Sequence, residues 1–388
     1  MRTVKSIRAS LNRLPTTLNE TYANILRRVE DDDVELLRRA LVWTAFSVMP
    51  LTLYELQEAI AIDPGVKTHH EVEESRLNDP RDILSLGSSL LSVTETGHVK
   101  LAHLSVLDYL QSTEIQDSDV SVFKMSPGSA NSELAMSCLS YLSLDSLSSG
   151  PVGSQSAWEA RCVQHPLFGH AAVGWSYYRR SSLKNHELDS LVYELFTESS
   201  RPKFLSWIQV LNSDWTDPVY TWDSYPRHAT PLHYAASFGL GDVVERLIED
   251  GAELDAPGSR NGGTALHGAT LRQHVSVMKI LLKAGADPSR ADFNMATPLH
   301  TAASYGNPEV LRLLLQYGAS IEAEDNLGET PYMWALRAEQ QTSQKLLSRE
   351  DYDENHVLPR RRQGQKYKRF ATVAVDHGLS DSFSLTTR

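Results

Sequence analysis

Between residues 6 and 48 the apolar positions Leu11, Leu14, Leu18, Tyr22, Ile25, Leu26 and Val29 recur at intervals of three and four. That spacing predicts two helices in the segment, with Pro15 near a turn. Asp31-Asp32-Asp33 precedes the apolar start of the second helix. Clustered carboxylates can ligate Mg²⁺, but an acidic run at a helix N-terminus is favoured by the dipole alone, and the helix-start reading is preferred. From Thr52 the pattern shifts: Leu53, Leu56, Ile60 and Ile62 predict a helix capped by Thr52, with Glu55 at capping-box spacing. Residues 64–80 are polar and hold His69, His70, Glu71, Glu73 and Glu74 without HExxH spacing, so they read as a solvated loop. Asp82 to Leu91 predicts another helix. The apolar stretches 91–94 and 99–102 then flank Glu95-Thr96-Gly97-His98 as a β-hairpin with glycine in its turn. Three helices followed by a hairpin outline a winged helix.

Further on, 111–135 and 145–157 are rich in Ser, Gly and Asp and read as loops. Leu134–Leu144, Ala157–Arg180 and Leu188–Leu211 are apolar enough for connector helices. Trp158, Trp175, Trp207, Trp215 and Trp222 are expected to pack this layer on the C-terminal half of the chain.

That C-terminal half is periodic. Thr230-Pro231-Leu232-His233, Thr264-Ala265-Leu266-His267, Thr297-Pro298-Leu299-His300 and Thr330-Pro331-Tyr332-Met333 begin at intervals of 34, 33 and 33 residues. Gly251-Ala252, Gly285-Ala286 and Gly318-Ala319 stand 21 residues after the first three threonines, behind Leu247-Ile248, Leu281-Leu282 and Leu314-Leu315. Thr caps a first helix, and Pro sits in its first turn, where a missing N–H costs nothing. Paired small residues let two helices approach, and glycine ends the second helix with a left-handed residue. Period and residues together resemble the ankyrin repeat. Glycine is replaced by His228 and Met295 two residues before the Thr, and by Gln273 and Glu339 at the inter-helix turn. The in-phase histidines lack carboxylate or cysteine partners, so they read as a hydrogen-bonded ladder and not as a metal or catalytic set. Three full repeats plus a partial or capping one are expected over 227–348.

The resemblance reaches further. The segments Leu14–Tyr22, Val99–Leu110 and His165–Trp175 are similar to fungal NACHT–ankyrin proteins, where they follow the nucleotide-binding domain in a winged-helix region of GPI inositol-deacylase-like type. The expected fold is mainly α. It runs as a helical segment (1–48), a winged-helix-like domain (49–115), a helical connector (116–225), an ankyrin solenoid (227–348) and a disordered basic tail (349–388). The resemblance implies the C-terminal part of such a protein, lacking the NACHT domain.

Composition and charge narrow the chemistry. The 388 residues hold 37 Lys+Arg and 49 Asp+Glu, a net charge of −12. Between 50 and 110 four basic residues, Lys67, Arg76, Arg81 and Lys100, face ten acidic ones, which disfavours DNA binding by the winged helix. No Gly-Lys dipeptide exists, so no GxxxxGK[ST] phosphate loop, and no GxSxG nucleophile elbow. Cofactors, metal and catalytic residues are accordingly expected to be none. Two cysteines exclude a disulfide scaffold, no apolar h-region opens the chain, and no run approaches a membrane span. The expected location is cytoplasmic, with nuclear import the alternative offered by the basic Arg360–Arg369 stretch.

What remains is a non-enzymatic protein–protein interaction module in NACHT-type signalling or self/non-self recognition. The alternative is a regulatory portion of a signalling NTPase, working with a NACHT domain in cis or in trans. The resemblance places a protein partner on the concave ankyrin face. Its fingertip positions map to Arg227, Arg260, Asn261, Phe293, Asn294, Asn326, Leu327 and Glu329. Its first-helix positions map to Phe238, Leu271, Arg272, Tyr305 and Arg337.

Overall fold

The computed structural model describes residues 17–87, 89–116, 118–212 and 222–348. Leu11, Leu14, Pro15, Trp215 and the basic tail lie outside the described residues. Two compact units are present. One comprises the described residues up to Ser146 with Ser156–Leu191; the other comprises Leu147–Gln155 with those from Val192 onward. The connector expected at 116–225 is thus divided between them.

In the first unit, α1 (Leu18–Leu26) is capped by the Thr17 side chain, which accepts from the Glu20 N–H. Asp31–Asp33 form one 3₁₀ turn, Asp31 and Asp32 exposed and Asp33 half-buried, at the start of α2 (Val34–Phe46). That helix buries Leu37, Leu41 and Trp43. β1 (Leu51–Thr52) leads into α3 (Leu53–Ile60), where Glu55 and Thr52 make the expected capping box. The supposed loop at 64–80 is not all loop. Thr68 and Glu71 form a second capping box, which starts α4 (His69–Glu74) and turns Val72 and His69 inward. The Thr-x-x-Glu signal was present but sat in a stretch too polar to show an apolar period.

α5 (Asp82–Gly87) is shorter than expected. The hairpin forms as β2 (Leu91–Val93) and β3 (His98–Leu101), in antiparallel register Leu91↔Leu101 and Val93↔Val99. β1 pairs with the other edge of β3, Leu51 opposite Val99, giving the order β1-β3-β2. Two residues cannot display alternation, so β1 was invisible in the pattern.

α6 (Leu104–Gln111) and α7 (Thr113–Gln116) come next. α8 spans Pro127–Leu142, starting well before the expected Leu134, because Ser126 caps it and Pro127 occupies its first turn. The helix expected over 157–180 is broken near Pro166 into α9 (Gln155–Gln164) and α10 (Phe168–Ser181). α8 and α10 pack along one another. On α2, Trp43 meets His170 and Tyr178 edge-on, with ring centres 5.5 and 6.3 Å away. Tyr178 Oη accepts from the Val48 N–H at 3.1 Å, fixing the turn after α2.

α11 (His186–Leu195) runs into the second unit, and α12 (Arg201–Leu211) lies within it. Four antiparallel pairs complete that unit: α13 (Pro231–Ser237) with α14 (Gly241–Glu249), α15 (Ala265–Leu271) with α16 (Val275–Lys283), α17 (Pro298–Tyr305) with α18 (Pro308–Gln316), and α19 (Pro331–Arg337) with α20 (Gln341–Leu347). The fourth repeat therefore has both helices.

An aromatic cluster seats the first pair. Trp207, fully buried, lies 5.7 Å from Phe196, 5.7 Å from Phe204, 6.1 Å from Tyr234 and 5.6 Å from Phe238. Of the tryptophans expected here, Trp207 does this; Trp158 and Trp175 belong to the first unit.

Three of the four places where glycine is missing from the repeat keep glycine's backbone; His228 does not. Gln273, Met295 and Glu339 have φ of 59°, 60° and 57°, beside 73°, 76°, 76° and 72° at Gly239, Gly262, Gly306 and Gly328. A side chain in that region costs roughly 1–2 kcal/mol, partly offset by the looser unfolded state of glycine. Gln273→Gly and Glu339→Gly are each expected to raise stability by about 0.5–1 kcal/mol. Urea midpoints that fall instead would show that the side chains repay their strain.

Candidate protein-binding face

Three kinds of contact join neighbouring repeats, and the joint between the second and third has all of them. The first is a histidine. His267 Nδ1 accepts from the Thr264 N–H at 3.1 Å, so the proton sits on Nε2, which donates to the Ala296 carbonyl at 3.1 Å. His300 repeats this with the Thr297 N–H at 3.0 Å and the Glu329 carbonyl at 3.0 Å. In the first repeat the ring is turned, and Nδ1 of His233 donates to the Thr264 carbonyl at 2.9 Å. Burial pushes all three imidazoles down to about 4, so they are neutral at neutral pH. The ladder is structural, as the in-phase spacing predicts. At the fourth repeat Met333 replaces the histidine and the ladder stops.

The second contact joins fingertips through the main chain. The Phe293 N–H donates to the Asn261 carbonyl at 2.8 Å, and the Asn326 N–H to the Asn294 carbonyl at 2.9 Å. Aspartates shape two of the fingers: Asp292 Oδ1 accepts from the Asn294 and Ala296 N–H groups, and Asp325 Oδ1 from those of Leu327 and Glu329. The third contact is a ring over a glycine. A Cβ at Gly262 would fall 2.5 Å from Phe293 Cδ1, and the His228 ring lies 5.5 Å from that of Phe293.

These contacts place the thirteen expected residues. Arg227, Arg260, Asn261, Phe293, Tyr305, Asn326, Leu327 and Arg337 are exposed, while Leu271, Arg272 and Asn294 are half-buried. Two are not on the surface. Phe238 is buried in the Trp207 cluster, because the array needs a seat on its N-terminal side. Glu329 is also buried and holds the Arg337 guanidinium. Arg227 is engaged with Asp223 and lies 5.1 Å over the Tyr225 ring. Burial holds the Tyr305 phenol above its usual range, against the opposing charge of Arg272 nearby.

Met295 was not among the mapped positions. It is 55% exposed, beside Phe293 at 65% and Leu327 at 44% on the same row of fingers. Its signal was the absent glycine: an apolar side chain kept where the backbone asks for none.

Comparison with known proteins agrees with this architecture. Residues 202–292 and 289–356 match the family described as ankyrin repeats, and residues 32–123 match the GPI inositol-deacylase winged helix domain. Azaphilone pigments biosynthesis cluster protein L of Monascus ruber is 30% identical over 298 residues, covering 71% of this chain and 61% of that protein. Ankyrin repeat and SOCS box protein 16 of Mus musculus is 40% identical over 119 residues, 29% of this chain and 26% of its own. Protein phosphatase 1 regulatory subunit 12A of Rattus norvegicus is 32% identical over 121 residues, 30% and 12% respectively. The chain therefore spans less than two thirds of each of these relatives. It is mainly helical, with a winged-helix domain and ankyrin repeats, the latter a module of the protein-interaction class. Among the described residues no helix is long and apolar enough to cross a membrane.

Proposed function

We propose that the ankyrin stack binds a protein partner along its fingertips and first-helix row, without catalysis, in signalling of the NACHT-associated kind. Met295 carries this reading. Backbone strain is retained where it serves a site, and here it accompanies an apolar side chain held out to solvent, as Phe293 and Leu327 are on the fingers. Such a row suits an apolar segment of a partner, with Arg272 and Tyr305 at its margin. The ladder supports the non-enzymatic part: the ring nitrogens of His267 and His300 are committed to the main chain, which leaves no free base there.

Met295→Ala with Leu327→Ala is expected to weaken the partner's affinity roughly 30-fold, a side-chain contribution of about 2 kcal/mol. The melting temperature should stay nearly unchanged. Affinity capture with intact and substituted chains, followed by titration of the captured protein, checks it. Equal affinity, or a fall in melting temperature matching the lost binding, overturns the assignment. Saturable ATP or GTP binding by the purified chain would favour an NTPase component instead.

A further inference from the structure

A buried cluster in the first unit holds more donor capacity than the fold uses. Glu58 on α3 is 1% exposed, and its Oε1 accepts from Tyr141 Oη at 2.8 Å. The Arg76 guanidinium pairs with its other oxygen. His69, first residue of α4, places Nε2 3.8 Å from Glu58 Oε1 and Nδ1 3.5 Å from Glu73 Oε1. Arg76 Nη2 lies 3.2 Å from His69 Nε2. A guanidinium only donates, so Nε2 carries the lone pair and Nδ1 the proton that faces Glu73. That is the tautomer of a metal-ligating histidine backed by a carboxylate.

His165, just after α9, completes the group. It is 2% exposed, its ring centre is 4.4 Å from that of His69, and its buried Nδ1 has no hydrogen-bond partner. One nitrogen of each imidazole and one Glu58 oxygen lie within 4.8 Å of one another. A buried polar atom left unpaired carries a desolvation cost that packing alone does not explain.

We propose that Glu58, His69 and His165 form a structural site for a divalent cation of the Zn²⁺ type, which Arg76 occupies with its own charge until the metal displaces it. Two imidazoles and a carboxylate are a zinc ligand set, with water as fourth ligand. Bonds of about 2.0–2.2 Å require the three atoms to close in by roughly an ångström, a side-chain adjustment. A carboxylate so buried needs a counter-charge, and Arg76 supplies one. Its hold is incomplete: Arg76 Nε is buried without a partner, while the side chain is 23% exposed and has a route to water. The site would tie α3, α4 and the end of α9 together. It is independent of the partner-binding reading, which concerns the other unit.

The test is titration of the tag-free full chain, stripped with a chelator, with Zn²⁺ and with Co²⁺ as a visible probe. One equivalent should bind, and a rise in melting temperature should accompany it. Glu58→Gln and His165→Phe should lose that equivalent, whereas exposed His70→Ala should keep it. Glu73→Gln should weaken it roughly 10–100-fold. Arg76→Ala is the decisive variant: it removes the competing cation, so it should bind Zn²⁺ more tightly than the parent. It should also regain with Zn²⁺ the melting temperature it loses without it, even if His165→Phe fails to fold. No saturable binding by the parent, retention of the equivalent in a folded His165→Phe chain, or no zinc rescue of Arg76→Ala overturns the proposal.

Discussion

Trp207→Ala is expected to lower the stability of the second unit by roughly 3–5 kcal/mol, the cost of deleting a large buried aromatic. The indole is fully buried and touches four rings, two of them on the first repeat. In a linear array each repeat leans on its neighbours, so the damage should be local before it is global. Hydrogen exchange should show residues 231–249 losing protection while 298–316 keep most of theirs. Phe238→Ala should take the same course with no separate effect on partner affinity. Uniform loss across all four repeats would mean that the array unfolds as one block and that Trp207 is no special seat.

Acidification should have the second large effect. His233, His267 and His300 are neutral in the folded chain, pushed from 6.5 down to about 4 by burial. Unfolded, they take protons near pH 6.5, so below that value the unfolded state binds more protons and folding stability falls with pH. Their contribution is fully present above pH 6.5 and is lost between about 6.5 and 4. Each histidine adds a slope of roughly 1 kcal/mol per pH unit between pH 6 and 5, and the three together roughly 3–4. Urea unfolding at stepped pH measures this. His300→Gln should destabilise the chain at neutral pH and also flatten the acid slope by about one histidine's share. An unchanged slope would place the acid sensitivity in other groups.

The second unit was the more legible half because its information is repeated. A threonine, a histidine and a glycine recurring every 33 or 34 residues announce caps, ladder and turns together, and the structure has each. Even the exceptions were readable: Gln273, Met295 and Glu339 stand out only against the glycines they replace, and they take up the glycine backbone. What the period could not say is which face of a residue its neighbour covers. Phe238 and Tyr305 occupy equivalent places, yet one is buried by Trp207, which lies before the repeats begin, and the other is 39% exposed. In the first unit the elements are short and their contacts distant. Glu58, His69 and His165 come from three separate elements, and no local spacing links them. A polar stretch such as 64–80 hides a helix of six residues, because so short a helix shows no full period.

The ladder also bears on how such an array changes over generations. Its acceptors are the main-chain carbonyls of Thr264, Ala296 and Glu329, three residues with nothing in common as side chains. A joint that asks its neighbour only for a backbone oxygen places no demand on the neighbour's identity. As far as the ladder is concerned, a duplicated repeat can be inserted beside another without compensating substitutions, and finger residues outside the joint contacts can drift while it holds. Recombination can lengthen or shorten the stack, and selection can rewrite its surface, as two separate processes.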